Sequence, residues 1–238
     1  MAINLTKGQR INLTKDDGAK LKEFCVGCNW GMIPTGKMVS KTIKKGFLGF
    51  GKITEKTPEL KEVDLDLSCI MLDNDKKIID HIYSPLYRKD WLAAYHMPKG
   101  KLFSKDGALN HSGDDLQGNA DGDDGLDNEI ITVDLTKVNE KVQEIYFFLN
   151  NVGPEDFSQI PYASIRMYEG TPQKVRNVYA KYDVAAMPEY KGKRALVMGK
   201  LYRLKNEWKF AAIGDAYNDQ NLCATIARIL HVYKYISC

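Results

Sequence analysis

The stretch VDLDLSCIML, residues 63–72, decides the fold. Its first six residues alternate apolar and polar, the period of a strand with one buried face. Its last four are apolar without interruption, which carries the strand into a fully buried run. Working outward, a turn at 73–75 leads to a second strand over 78–83. Further runs at 24–28, 130–135, 144–150, 162–168, 176–183, 194–203 and 207–214 are rich in Val, Ile, Tyr and Phe. Turn residues separate them, including Leu204-Lys205-Asn206-Glu207, and the spacing predicts an all-β, antiparallel β-sandwich.

One helix is predicted near the C-terminus. Apolar residues fall at 222, 223, 226, 229 and 230, with Asp219 as the expected N-cap. A short helical turn is expected near 153–160. The segments 31–61 and 84–105 are rich in Lys, Gly and Pro and read as long loop insertions on one domain spanning 1–238.

With 238 residues, the chain is long enough for a sizeable core. Hydrophobic residues make up 44%, which excludes global disorder. Net charge is +3, too balanced for a dedicated nucleic-acid binder, and no nucleic-acid partner is expected. The longest apolar stretches, such as IYFFL at 145–149, are far shorter than the roughly 20 residues of a membrane-crossing helix. MAINLTKGQR at the start has no signal-peptide pattern, and five scattered cysteines do not form a disulfide framework; both point to the cytoplasm.

The overall balance hides a local imbalance. Residues 106–134 hold nine acidic side chains and no Lys or Arg, and seven of the nine lie in GDDLQGNADGDDGLDNE, 113–129. Residues 31–61 lean the other way, with seven lysines against two glutamates. An acidic run is ordinarily a solvated loop. Here, glycines at 113, 118, 122 and 125 permit tight turns that converge oxygen ligands, and Leu116 and Leu126 are expected to anchor the loop to the core. A strand follows directly. Carboxylates packed this closely call for a hard cation, Ca2+ before Mg2+. Asp64 and Asp66 share one face of their strand and would supply rigid ligands, with the loop wrapping the rest. Backbone carbonyls near Leu116, Gly118 or Asp124 would complete such a shell. No register through the loop satisfies an EF-hand, and a strand rather than a helix follows it.

Other candidates are weaker. Cys25-x-x-Cys28 has no second pair and reads as two buried thiols. Of the histidines at 81, 96, 111 and 231, only His111 adjoins the acidic loop, where a hydrogen bond is expected rather than catalysis. GFLGFG, 46–51, lacks the Lys-Ser/Thr of a phosphate loop and reads as a flexible aromatic loop. Arg166, Arg203 and Trp208 read as structural.

Several pieces together resemble the TerD family of tellurium-resistance and stress proteins, which includes cAMP-binding-protein-like relatives. They are INLTKGQRINLTK (3–15), VGCNW (26–30), VDLDLSCIMLD (63–73), HSGDDLQGNADGDD (111–124), EIITVDLTKV (129–138), ASIRMY (163–168) and MGKLYRLKNEWKFAAIGDAY (198–217). The resemblance implies a Ca2+-binding β-sandwich in the cytoplasm or at the inner face of the membrane. By match to its motifs the implied ligands are Asp64, Asp66, Asp114, Asp115, Asp121, Asp123, Asp124 and Glu129, with two Ca2+ ions expected. Asp115 stands where the family commonly has Asn and Ala120 where it has Gly, and Gly125-Leu126-Asp127-Asn128 looks inserted before Glu129. The implied function is a non-enzymatic interaction module whose acidic loop is ordered by Ca2+. Its partners would be other tellurium-resistance or stress proteins, or a membrane-associated complex. Two alternatives stand beside it: a metal-dependent phosphoesterase using the Asp cluster, and a Ca2+-dependent membrane-binding module.

Overall fold

The alternating runs become paired strands in the computed structural model, which describes residues 3–4, 9–15, 18–45, 51–185, 188–205 and 207–233. In chain order the first elements are β1 (Ile3–Asn4), β2 (Arg10–Asn12), β3 (Glu23–Trp30), β4 (Ile33–Lys45), β5 (Gly51–Lys61), β6 (Leu65–Leu72) and β7 (Ile78–Ile82). There follow α1 (Lys89–Ala94), β8 (Leu109–His111), β9 (Glu129–Asp134), β10 (Glu144–Asn151), β11 (Ala163–Thr171) and β12 (Lys174–Asp183). The last are β13 (Ala195–Leu204), β14 (Glu207–Tyr217) and α2 (Leu222–Val232), with a short 3-10 turn at Phe157–Gln159.

Two six-stranded sheets face each other, ordered β1-β12-β11-β3-β9-β8 and β2-β14-β13-β10-β6-β7. The pairing is antiparallel throughout except for β1, which runs parallel to β12. The core between them joins Val26, Cys28, Trp30 and Ile131 of the first sheet to Leu65, Leu67, Phe147 and Leu149 of the second. Large side chains buried this fully contribute about 1.5–3 kcal/mol each, so the two sheets hold one another rigidly.

β6 and β10 are buried along their whole length, which is why β6 stops alternating after Ser68. Their outer face carries Ile70, Tyr146 and Phe148, and these are covered by Leu222, Cys223, Ile226 and Ile229 of α2 and by Tyr87 and Leu92. α2 is capped by Asn221, whose side chain accepts the Ala224 N–H at 3.0 Å. The expected cap, Asp219, instead ion-pairs with Arg228 at 2.5 Å.

Two insertions take on structure. The segment read as a loop over 31–61 is a long two-stranded ribbon, β4 against β5, which pairs with neither sheet. Within 84–105, α1 forms and Tyr87 and Leu92 pack on the outer face of the second sheet. Residues 46–50 of the glycine-rich segment, Asn206 of the β13–β14 turn, and Cys238 lie outside the described residues.

Candidate metal centre

β7 pairs with β6 only from Cys69 to Leu72, so the first half of β6 has no strand on that side. Side chains and a loop from the opposite sheet take its place. Glu129 Oε2 accepts the Leu67 N–H at 2.7 Å, and His111 Nε2 lies 3.0 Å from the Leu67 carbonyl. The Val63 N–H donates to the Gln117 carbonyl, and the Trp30 indole N–H donates to the Val63 carbonyl at 2.7 Å. The acidic loop is thereby stitched to the edge of β6, which carries Asp66, and to the residues just before it, which include Asp64.

The consequence is a group of carboxylates. Oxygens of Asp66, Asp114 and Glu129 lie within 4.8 Å of one another. Asp66 and Glu129 are buried, and Asp114 is half-buried and accepts the Ser84 hydroxyl at 2.5 Å. Burial, then the charges of Glu129, Asp64 and Asp114, push the Asp66 carboxyl well above the carboxylate range, and a hydrogen bond to Asp114 favours its protonated form. Asp64 is pushed up to about 7, by burial first and then by Asp114, Glu129 and Asp115. Burial raises Glu129 as well, opposed by His111 and by the Leu67 and Asp115 N–H groups.

These shifts say that the cluster resists carrying its full negative charge alone. Asp64 Oδ1 is buried and has no hydrogen-bond partner among the described residues. Asn150 stands directly across from Asp66 in the β10–β6 register, and its buried Oδ1 is equally unpartnered. Its amide donates to Thr225 of α2 at 2.8 Å. An all-oxygen donor set with an orphaned buried carboxylate oxygen fits a hard divalent cation.

The rest of the loop divides differently. Asp115 Oδ1 accepts the N–H groups of Gln117 and Gly118, and its Oδ2 accepts from Asn128. Asp121, Asp123 and Asp124 are exposed; Asp123 accepts from Asn29 and the Gly125 N–H, and Asp124 from the Leu126 N–H. None of these four joins the Asp66 group among the described residues. Leu116 and Leu126 are 50% and 40% exposed, so neither anchors the loop. Its anchors are polar. Asp127, with its side chain fully buried, pairs with Arg166 at 2.9 Å. Asn128 donates to Asp115 and Asn119 and accepts the Trp30 N–H. Sequence reading missed Ser84, Asn128 and Asn150; the Asn-Trp of VGCNW, whose Asn29 also bonds Asn119, was the nearest signal.

A cleft of about 250 Å3 opens beside the cluster, lined by Asp64, Asp66, Ser84, Tyr87, Arg88 and Trp91 among others. His111 offers it no base. Its Nδ1 accepts the Gly113 N–H at 3.0 Å, which leaves the proton on Nε2 facing the Leu67 carbonyl. Cys25 and Cys28 point to different clusters of the core, and burial raises both thiols. Arg203 bonds the Val142 and Val138 carbonyls and stacks on Trp208 at 4.4 Å.

The TerD domain family model matches residues 1–228. Stress response protein SCP2 of Bacillus subtilis (strain 168) is 32% identical over 96% of this chain and 99% of its own length. Tellurium resistance protein TerZ of Serratia marcescens is 29% identical, covering 90% of each chain. Two solved structures share the fold. One is the unknown function protein SAV2460, with a TM-score of 0.56 and 15% identity, over 90% of this chain and 96% of that one. The other, SCO6318 from Streptomyces coelicolor A3(2), a homologue of telluride resistance protein (TerD), has a TM-score of 0.54 and 13% identity, over 83% and 91%.

Proposed function

The chain belongs to the TerD domain family of tellurium-resistance and stress-response proteins, and from that premise we propose that it is a non-enzymatic, Ca2+-binding interaction module. The observation that carries this reading is the meeting of Asp66, Asp114 and Glu129 within 4.8 Å. A bound Ca2+ supplies the positive charge that lets these groups remain ionised together.

Asp66 and Glu129 would hold the ion from rigid strands, one in each sheet. Asp64 and Asp114 would bring in the start of β6 and the acidic loop. Asp115, Asp123 and Asp124 shape the loop by accepting its own N–H groups. Loop order and charge neutralisation are thus one event, and the ordered surface over 113–129 is what a partner would read. Such partners are other tellurium-resistance or stress proteins, in the cytoplasm or at the inner face of the membrane. The commitment of both His111 ring nitrogens to the backbone supports a binding role over a phosphoesterase, which needs a base beside its metal.

Isothermal titration of the metal-free chain with Ca2+ tests the reading. Saturable heat that disappears in Asp66→Asn is expected. Absence of saturable binding in the intact chain, or equal binding in the variant, would overturn it.

A further inference from the structure

We propose that the β4–β5 ribbon docks on an anionic lipid bilayer, independently of any metal ion. The ribbon is an unusual object. Its strands run 13 and 11 residues and pair only with each other. At about 3.4 Å per residue it extends over some 35 Å. Ile33 packs on the core at its root, and Lys61 pairs with Glu155 there. Isolated two-stranded ribbons are marginal in water, so this one calls for a surface to lie on.

Its composition says which. Residues 31–61 hold seven lysines against two glutamates. Lys37 and Lys56 are exposed on the ribbon. Met38 and Val39 are 59% and 41% exposed on the same ribbon. Cationic and apolar groups interleaved on one exposed element suit a lipid headgroup layer.

Other occupants fit less well. Residues 31–61 contain no Arg, Asn or Gln, the side chains that read base edges from a ribbon in the major groove. A protein partner adding a strand needs an open edge, and Pro34, Pro58 and the lysines blunt both edges.

The full chain is sedimented with phosphatidylcholine vesicles with and without phosphatidylglycerol, in EDTA. EDTA separates this proposal from the Ca2+ reading, because either can fail while the other stands. Binding only to the phosphatidylglycerol vesicles, weakened by salt, is expected. Each lysine removed should lower partitioning roughly fivefold, so Lys37→Gln, Lys44→Gln, Lys52→Gln and Lys56→Gln together should nearly abolish it. Met38→Ser with Val39→Ser should weaken binding and leave its salt dependence. Retained melting behaviour of both variants shows that the sandwich is intact. No sedimentation of the unaltered chain, or equal sedimentation of the lysine variant, would each overturn the proposal.

Discussion

Glu129 of one sheet accepts the Leu67 N–H of the other at 2.7 Å, so a buried carboxylate stands where a strand neighbour would be. Its second oxygen accepts the Asp115 N–H at 3.0 Å. Glu129→Gln keeps the shape but leaves only one oxygen for two donors. The variant should lose about 1–3 kcal/mol of stability in EDTA, the cost of an unsatisfied buried donor. Urea unfolding measures it.

Asp66 should behave in the opposite way. It is buried among Glu129, Asp64 and Asp114, and its charge opposes the fold when no cation is present. Asp66→Asn should therefore gain stability in EDTA at neutral pH. The same variant should lose any stabilisation by Ca2+. A loss of stability in EDTA would contradict the electrostatic reading of the cluster.

The pH dependence follows from Asp64, whose carboxyl sits at about 7 in the fold against an ordinary 3.8. The folded state thus holds this proton more tightly than the unfolded chain. Asp64's contribution to metal-free stability is full below the ordinary value and is lost as pH rises from about 4 to above 7, an effect that Asp64→Asn should remove. Saturating Ca2+ should flatten that decline, since it replaces the proton. Urea midpoints across this range, with EDTA and with Ca2+, give the two curves.

The strands were legible because Val, Ile, Tyr and Phe mark them, and the continuous apolar run after Ser68 already signalled two buried faces. The ribbon was not legible, because Lys, Thr and Gly dominate it and only Ile33, at its root, is packed against the core among its described side chains. Its trace was the β-branched residues Val39, Thr42 and Ile43, then Ile53, Thr54 and Thr57, either side of a glycine-rich stretch. At the site, the alternation of Asp64 and Asp66 placed both beside the acidic loop. Sequence could not separate Asp114 from Asp121, Asp123 and Asp124. What divides them is local backbone geometry, since Asp123 and Asp124 accept N–H groups two residues onward. Asp219 was misplaced as a cap for a similar reason: its partner, Arg228, lies two turns along α2.

The loop also depends on a buried ion pair, two residues before Glu129. Arg166 and Asp127 are 14% and 0% exposed, and a Cβ at Gly27 would overlap the Asp127 carboxylate. Arg166→Met leaves Asp127 charged, buried and unpaired, at a cost of about 3–5 kcal/mol. Adding Asp127→Asn should recover part of that. A fully additive loss in the double variant would show that the two residues do not act as a pair.

Melting of the intact chain in EDTA and in millimolar Ca2+ asks whether the carboxylates of the two sheets are joined by an ion. Binding to the folded state alone stabilises by about 2.7 kcal/mol at a hundredfold excess over the dissociation constant. A clear rise in melting temperature with Ca2+, absent in Asp66→Asn, is the predicted result. An unchanged melting temperature would contradict it.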